Sequence, residues 1–113
     1  GIDSSTIAYY AQNLSPDKIK TFSIGFREKS FDESAYAKLV ADSLQTDHYH
    51  AVFSPESVLD LIPSIAEILD EPMADPSILP THLLSKFARQ KVTVALSGDG
   101  NDELMAGYNT FQA

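Results

Sequence analysis

Two short stretches concentrate the groups able to do chemistry. Residues 96–108, LSGDGNDELMAGY, set Gly98 and Gly100 among the carboxylates of Asp99, Asp102 and Glu103. Residues 1–5, GIDSS, set Gly1 beside Asp3 and the hydroxyls of Ser4 and Ser5. Glycine lets backbone come close to a ligand or take a positive φ. A helix N-terminus adds unpaired N–H groups and about half a positive charge. With the hydroxyl of Ser97, these are the parts of a phosphate cradle. Yet Asp3, Asp99, Asp102 and Glu103 would repel a phosphate, and neither loop holds a Lys or Arg to offset them. A hard divalent cation removes the conflict, because Mg²⁺ is commonly held by one or two carboxylates together with phosphate oxygens. The amides would take the phosphates and some of the acids the metal.

Other readings of these residues are open to inspection. A glycine-rich acidic loop is often only a tight turn. An EF-hand beginning at Asp99 needs Gly at its sixth position and Glu at its twelfth, where this chain has Leu104 and Thr110. No G-K-[ST] and no G-x-G-x-x-G occurs, so neither a P-loop nor a dinucleotide fingerprint is present. His48 and His50 share one strand face, but no third ligand is near in sequence, and a packed or partly exposed face explains them. Asp75 and Ser77 either border a substrate pocket or, with Asp70 and Glu71, belong to a solvated loop.

The elements that would position these loops alternate. Ser4, Ser5 and Thr6 read as the start of an amphipathic helix running through Ile7 to Leu14. Residues 19–26, IKTFSIGF, read as a buried strand. A helix follows from Phe31, capped by Ser30 or Asp32, with Ala35, Leu39, Val40 and Leu44 inward. Residues 46–53 alternate as a strand, and Ser54-Pro55-Glu56 opens one further helix through Leu69, with Pro63 as a local irregularity. DEPMADPSILP, 70–80, reads as loop, THLLSKFARQ as helix, and VTVAL, 92–96, as strand. Tyr9, Tyr10, Phe22, Phe26, Phe53 and Phe87 suit core positions. This order predicts an α/β domain, a three-layer parallel sheet with flanking helices, whose ligands sit beyond the carboxyl ends of the strands.

A first helix with no strand before it leaves a βαβ unit incomplete. The expectation is one partial domain over 1–113, lacking a first strand that would lie centrally between VTVAL and TFSIGF. The open edges would favour self-association. The rest of the composition narrows partners. The 113 residues carry 16 acids against 8 bases, net charge −8, and the bases are scattered, which argues against nucleic acid. No apolar stretch approaches the ~20 residues of a membrane span. With no cysteine, disulfides and thiolate metal sites are excluded.

These residues resemble a known family. GIDSS resembles the tail of the S-G-G-x-D-S-S pyrophosphate loop of ATP pyrophosphatases (the PP-loop superfamily, adenine nucleotide alpha hydrolase-like in fold). TFSIGF…FDES, DEPMADPSILPTHLLSKFA and VALSGDGNDELMAGY resemble, in order, the synthetase domain of glutamine-hydrolysing asparagine synthetases. The resemblance implies a cytoplasmic ligase in which ATP and Mg²⁺ activate a carboxylate, the aspartate side chain in that family, as an acyl-adenylate. Ammonia from a glutaminase domain then gives the amide. It implies that Gly1, Ser4 and Ser5 hold pyrophosphate, that Asp3 and Asp102 bind magnesium, and that Ile24 meets adenine through its backbone. Ser97 and Gly98 would contact the AMP portion, and Asp99 would sit near the acyl-adenylate and the incoming amine. The same domain serves amidotransferases acting on other carboxylates in exopolysaccharide and secondary-metabolite biosynthesis, and a fragment of it would be inert alone.

Overall fold

The computed structural model describes residues 1–26, 33–71 and 73–108. Its element order is α1 (Ile2–Leu14), β1 (Lys20–Phe26), α2 (Ser34–Leu44), β2 (Asp47–Phe53), α3 (Pro55–Leu59), α4 (Ile62–Ile68), α5 (Ile78–Ala88) and α6 (Asn101–Met105). β1 and β2 pair in parallel, from Lys20 opposite Asp47 to Phe26 opposite Phe53, and α2 makes the crossover between them. The β-branched and aromatic residues of both strands suit this half-covered pleat. Helix α2 ends at Gln45 in the left-handed region, φ 56°, which turns the chain into β2.

The aromatic rings of the two strands meet α5. Phe22 stacks on Tyr49 at 5.4 Å and meets Phe87 edge-on at 5.9 Å. Such pairs add about 1 kcal/mol to what burial alone gives. Ala41, Ile65, Leu83 and Ala88 are the buried apolar side chains among the described residues, and the phenylalanines of β1, β2 and α5 are half-buried.

Several expectations are corrected. The α/β class and the parallel sheet with flanking helices are present, but the sheet has two strands among the described residues, and VTVAL is not one of them. Val94 and Leu96 are each 77 % exposed. A strand forms only where a neighbour takes its N–H and C=O groups, and among the described residues no strand pairs with this segment. Helix α1 starts at Ile2 rather than after Thr6. Its hydroxyls fold back inside the helix instead of capping it, Ser5 Oγ donating to Gly1 O at 2.9 Å and Thr6 Oγ1 to Ile2 O at 2.9 Å. Tyr9 and Tyr10 are exposed, not core, because α1 buries no side chain. In α2 the inward positions are Ala37, Val40, Ala41 and Leu44, while Ala35 and Leu39 face out. The expected caps Ser30 and Asp32 lie outside the described residues.

Proline accounts for the two remaining differences. The expected helix from Pro55 to Leu69 is divided at Asp60–Leu61, and Pro63 sits in the first turn of α4. α5 begins at Ile78, inside the expected loop, because Pro80 falls in a first turn whose N–H groups need no helical acceptor. The accessible surface is 8786 Å², against about 6,100 Å² for a compact chain of this mass. Much apolar surface is uncovered.

Candidate functional site

Gly98 is where the two loops meet. A Cβ built there would stand 2.7 Å from the Ser4 backbone N and 2.9 Å from Ser4 Oγ. Only a residue without a side chain lets the 97–100 turn lie so close to the start of α1. Gly100 is glycine for a different reason: its φ of 89° is left-handed, and it leads the chain into α6. Gly1 has neither reason, since nothing lies within 4 Å of the Cβ it lacks.

The meeting opens a cavity of about 360 Å³ lined by Gly1, Asp3, Ser4 and Gly98, by Asp99, Gly100, Asp102 and Glu103, and by Asp75, Ser77 and Tyr108. Asp3 lies in the first turn of α1, whose leading N–H groups have no acceptor within the helix. Asp102 and Glu103 lie in the first turn of α6. Among the described residues no Lys or Arg pairs with any of these acids; the ion pairs are the Gly1 amino group with Glu33 and Lys38 with Asp42.

Hydrogen bonds fix several of the lining groups. Ser97 Oγ donates to Asp99 Oδ2 at 2.8 Å and accepts the Asp99 N–H at 3.3 Å, which aims that carboxylate. The Ser77 N–H donates to Asp75 Oδ1 at 2.8 Å, and this bond holds the Asp75 carboxyl below its usual range. Tyr108 Oη donates to Glu103 Oε1 at 2.7 Å. That bond lowers the Glu103 carboxyl and pushes the Tyr108 phenol up to about 12, with the charges of Asp102 and Asp75 adding to the rise.

The structure thus brings together Gly1, Asp3, Ser4, Gly98, Asp99 and Asp102 of the expected residues. Ser97 acts beside the cavity through Asp99. Ser5 does not line it; it borders a smaller cavity of about 120 Å³ between α1, α2 and the sheet. Ile24 is mid-ladder opposite Ala51 and does not line it either. Asp75 and Ser77, for which pocket border and solvated loop were equally open, do line it. Two residues were missed. Gly107 has no side chain where the Asp102 carboxylate lies, and Tyr108 holds Glu103. The signal was the A-G-Y that follows the helical acids.

A magnesium ion can be tested against this donor set. Among the described residues no three His, Cys, Asp or Glu side chains are arranged to hold a metal by themselves. Asp3 and Asp102 supply two carboxylates to one cavity, which fits an ion completing its octahedron with phosphate oxygens and water. His48 is a different case. Its Nδ1 bonds Thr21 Oγ1 at 2.9 Å and its Nε2 bonds Ser23 Oγ at 3.1 Å, so both nitrogens serve the strand face.

The asparagine synthase family model matches residues 1–113. The chain is similar to a glutamine-hydrolysing asparagine synthetase of Bacillus subtilis, 43 % identical over 112 residues that are 99 % of this chain and 18 % of that protein. It is similar to a putative glutamine-hydrolysing asparagine synthetase of Methanocaldococcus jannaschii, 44 % identical over 111 residues, 97 % of this chain and 21 % of that protein. It is 28 % identical over 128 residues to an amidase of Penicillium rubens, covering all of this chain and 19 % of the amidase. The chain spans about a fifth of the length of the curated relatives it matches.

Proposed function

The chain belongs to the asparagine synthase family, and from that premise we propose that it forms the nucleotide-binding part of an ATP-dependent amidotransferase. One observation carries the reading: Asp3, Ser4, Gly98, Asp99 and Asp102, from loops some 95 residues apart in sequence, line one cavity. The substrates would be ATP, aspartate and ammonia released from glutamine by a glutaminase domain of the whole protein, with Mg²⁺ bound. A carboxylate oxygen attacks the α-phosphorus and pyrophosphate leaves. Ammonia then attacks the acyl carbon, AMP leaves with the carboxylate oxygen, and the nitrogen loses a proton.

Each residue has a part that its surroundings suit. The leading N–H groups of α1 and the Ser4 hydroxyl face the departing pyrophosphate, where hydrogen-bond donors stabilise developing charge. Asp3 and Asp102 hold the magnesium ion, which supplies charge neutralisation on the phosphates. Asp99, aimed by Ser97, holds the incoming amine or accepts its proton. Ser5 donates both its hydroxyl and its backbone N–H to Gly1 O and serves the site by closing the first turn of α1, and Ile24, mid-ladder in β1, would meet adenine through its backbone. A 28 % identical relative bears the name amidase rather than asparagine synthetase, which favours a second reading, in which the acid amidated is not aspartate.

The test is pyrophosphate release by the full synthetase with ATP, Mg²⁺ and a panel of carboxylates. Asp3→Asn and Asp102→Asn are each expected to lower it at least about 100-fold, since loss of even outer-shell metal partners costs 10–100-fold. Undiminished release in both variants would remove the metal assignment. The isolated chain is proposed to be inactive and to self-associate, given its uncovered surface. Light scattering showing a well-behaved monomer would count against that.

A further inference from the structure

The turn after α6 folds back on the acids of that helix. Gly107 N–H donates to Asp102 O at 2.9 Å, and the preceding residue, Ala106, is left-handed at φ 55°. A Cβ on Gly107 would overlap Asp102 Oδ1 and stand 3.0 Å from Asp102 Cγ. Gly107 does not itself have a positive φ. Its glycine is therefore explained by space, not by backbone freedom. The space is occupied by one carboxylate.

We propose that Gly107 is a positioning residue for Asp102, leaving the gap in which its carboxylate lies while Asp102 lines the cavity; this rests on the metal role of Asp102 proposed above. The atom a side chain would meet first is the far end of a flexible side chain, so the carboxylate gives way first, while the Asp102 Cα, 3.2 Å away, has to yield only slightly. A methyl group at 107 rotates Asp102 off its line. Ligand groups held about 1 Å from their productive place lose about 100-fold in function, and metal affinity falls 10–100-fold when a supporting group is removed.

The experiment measures Mn²⁺ binding to the full synthetase by electron paramagnetic resonance, with the β,γ-imido analogue of ATP present. Gly107→Ala is expected to weaken Mn²⁺ binding about 10-fold, and Gly107→Val more, with thermal melts near wild type for Gly107→Ala. In an Asp102→Asn background, Gly107→Ala should have no further effect. Full additivity of the two substitutions, or unchanged Mn²⁺ affinity in Gly107→Ala, would overturn the proposal. Should Asp102→Asn alone leave Mn²⁺ binding intact, the metal site itself fails, a different result from failure at 107. If Gly107→Val does not fold, the single methyl of Gly107→Ala still decides the question.

Discussion

The strand pair beneath α2 and the rim where α1 meets α6 are both polar, and they use polarity in opposite ways. On the strands and at the entry to β2, Thr21, Ser23, Thr46, His48 and His50 bond one another; Thr21 Oγ1 reaches Thr46 Oγ1 at 2.8 Å and Ser23 Oγ reaches His50 Nδ1 at 2.8 Å. Donors and acceptors there are matched, which is what a structural face requires. At the rim, five acids line one cavity with no paired base among the described residues. Matched polarity holds a fold together. Charge of one sign, held open by glycines, is the feature on which the proposed metal–nucleotide site rests.

Breaking the first region should cost stability. Leu83→Ala removes a buried side chain of α5 beside the strand pair, and about 3 kcal/mol of destabilisation is expected. Faster hydrogen exchange of α5 and β1 amides would show it; unchanged exchange would mean the strand pair does not depend on α5. Breaking the second should cost function instead. Gly98→Val puts a side chain against the Ser4 backbone and parts the loops, with nucleotide affinity expected to fall about 100-fold, or about 2.7 kcal/mol. Isothermal titration with ATP and Mg²⁺ measures it, and retained affinity would divide the cavity into two unrelated loops.

A smaller contrast lies within the rim. Gly100→Ala forces a side chain into φ 89° and should destabilise by about 1 kcal/mol, whereas Ala106→Gly relieves φ 55° and should stabilise by roughly 0.5–1 kcal/mol. Thermal melts moving the same way for both would contradict this. The smallest effect concerns pH. Burial chiefly, with His50 and Lys38 adding, lowers the His48 pKa below 6.5. The unfolded chain therefore takes up a proton at a higher pH than the folded one, and stability declines as pH falls from about 6.5 toward the folded value. Melts at pH 7.5 and 5.5 should differ less in His48→Gln than in the parent.

What the sequence disclosed follows from how local each signal is. β1, β2 and α2 were readable to within a few residues because alternation and helical spacing are written in neighbouring positions. VTVAL misled because its β-branched residues announce a preference that only a partner strand can satisfy. Ser4, Ser5 and Thr6 misled because a hydroxyl that can cap a helix can also bond back within it. At the site, Asp3, Ser4, Gly98, Asp99 and Asp102 were foreseen to converge, since sheet-edge logic brings helix starts together. Gly107 was not, because its meaning depends on where the Asp102 side chain turns. The pairing of Tyr108 with Glu103 is of the same kind.

The seam at Gly98 also governs motion. Backbone lies against the start of α1 there with no side chain on Gly98 to absorb a displacement. A tilt of the helix start is expected to press on the turn bearing Asp99. The two loops are then expected to move together, so that whatever stills one quiets the other.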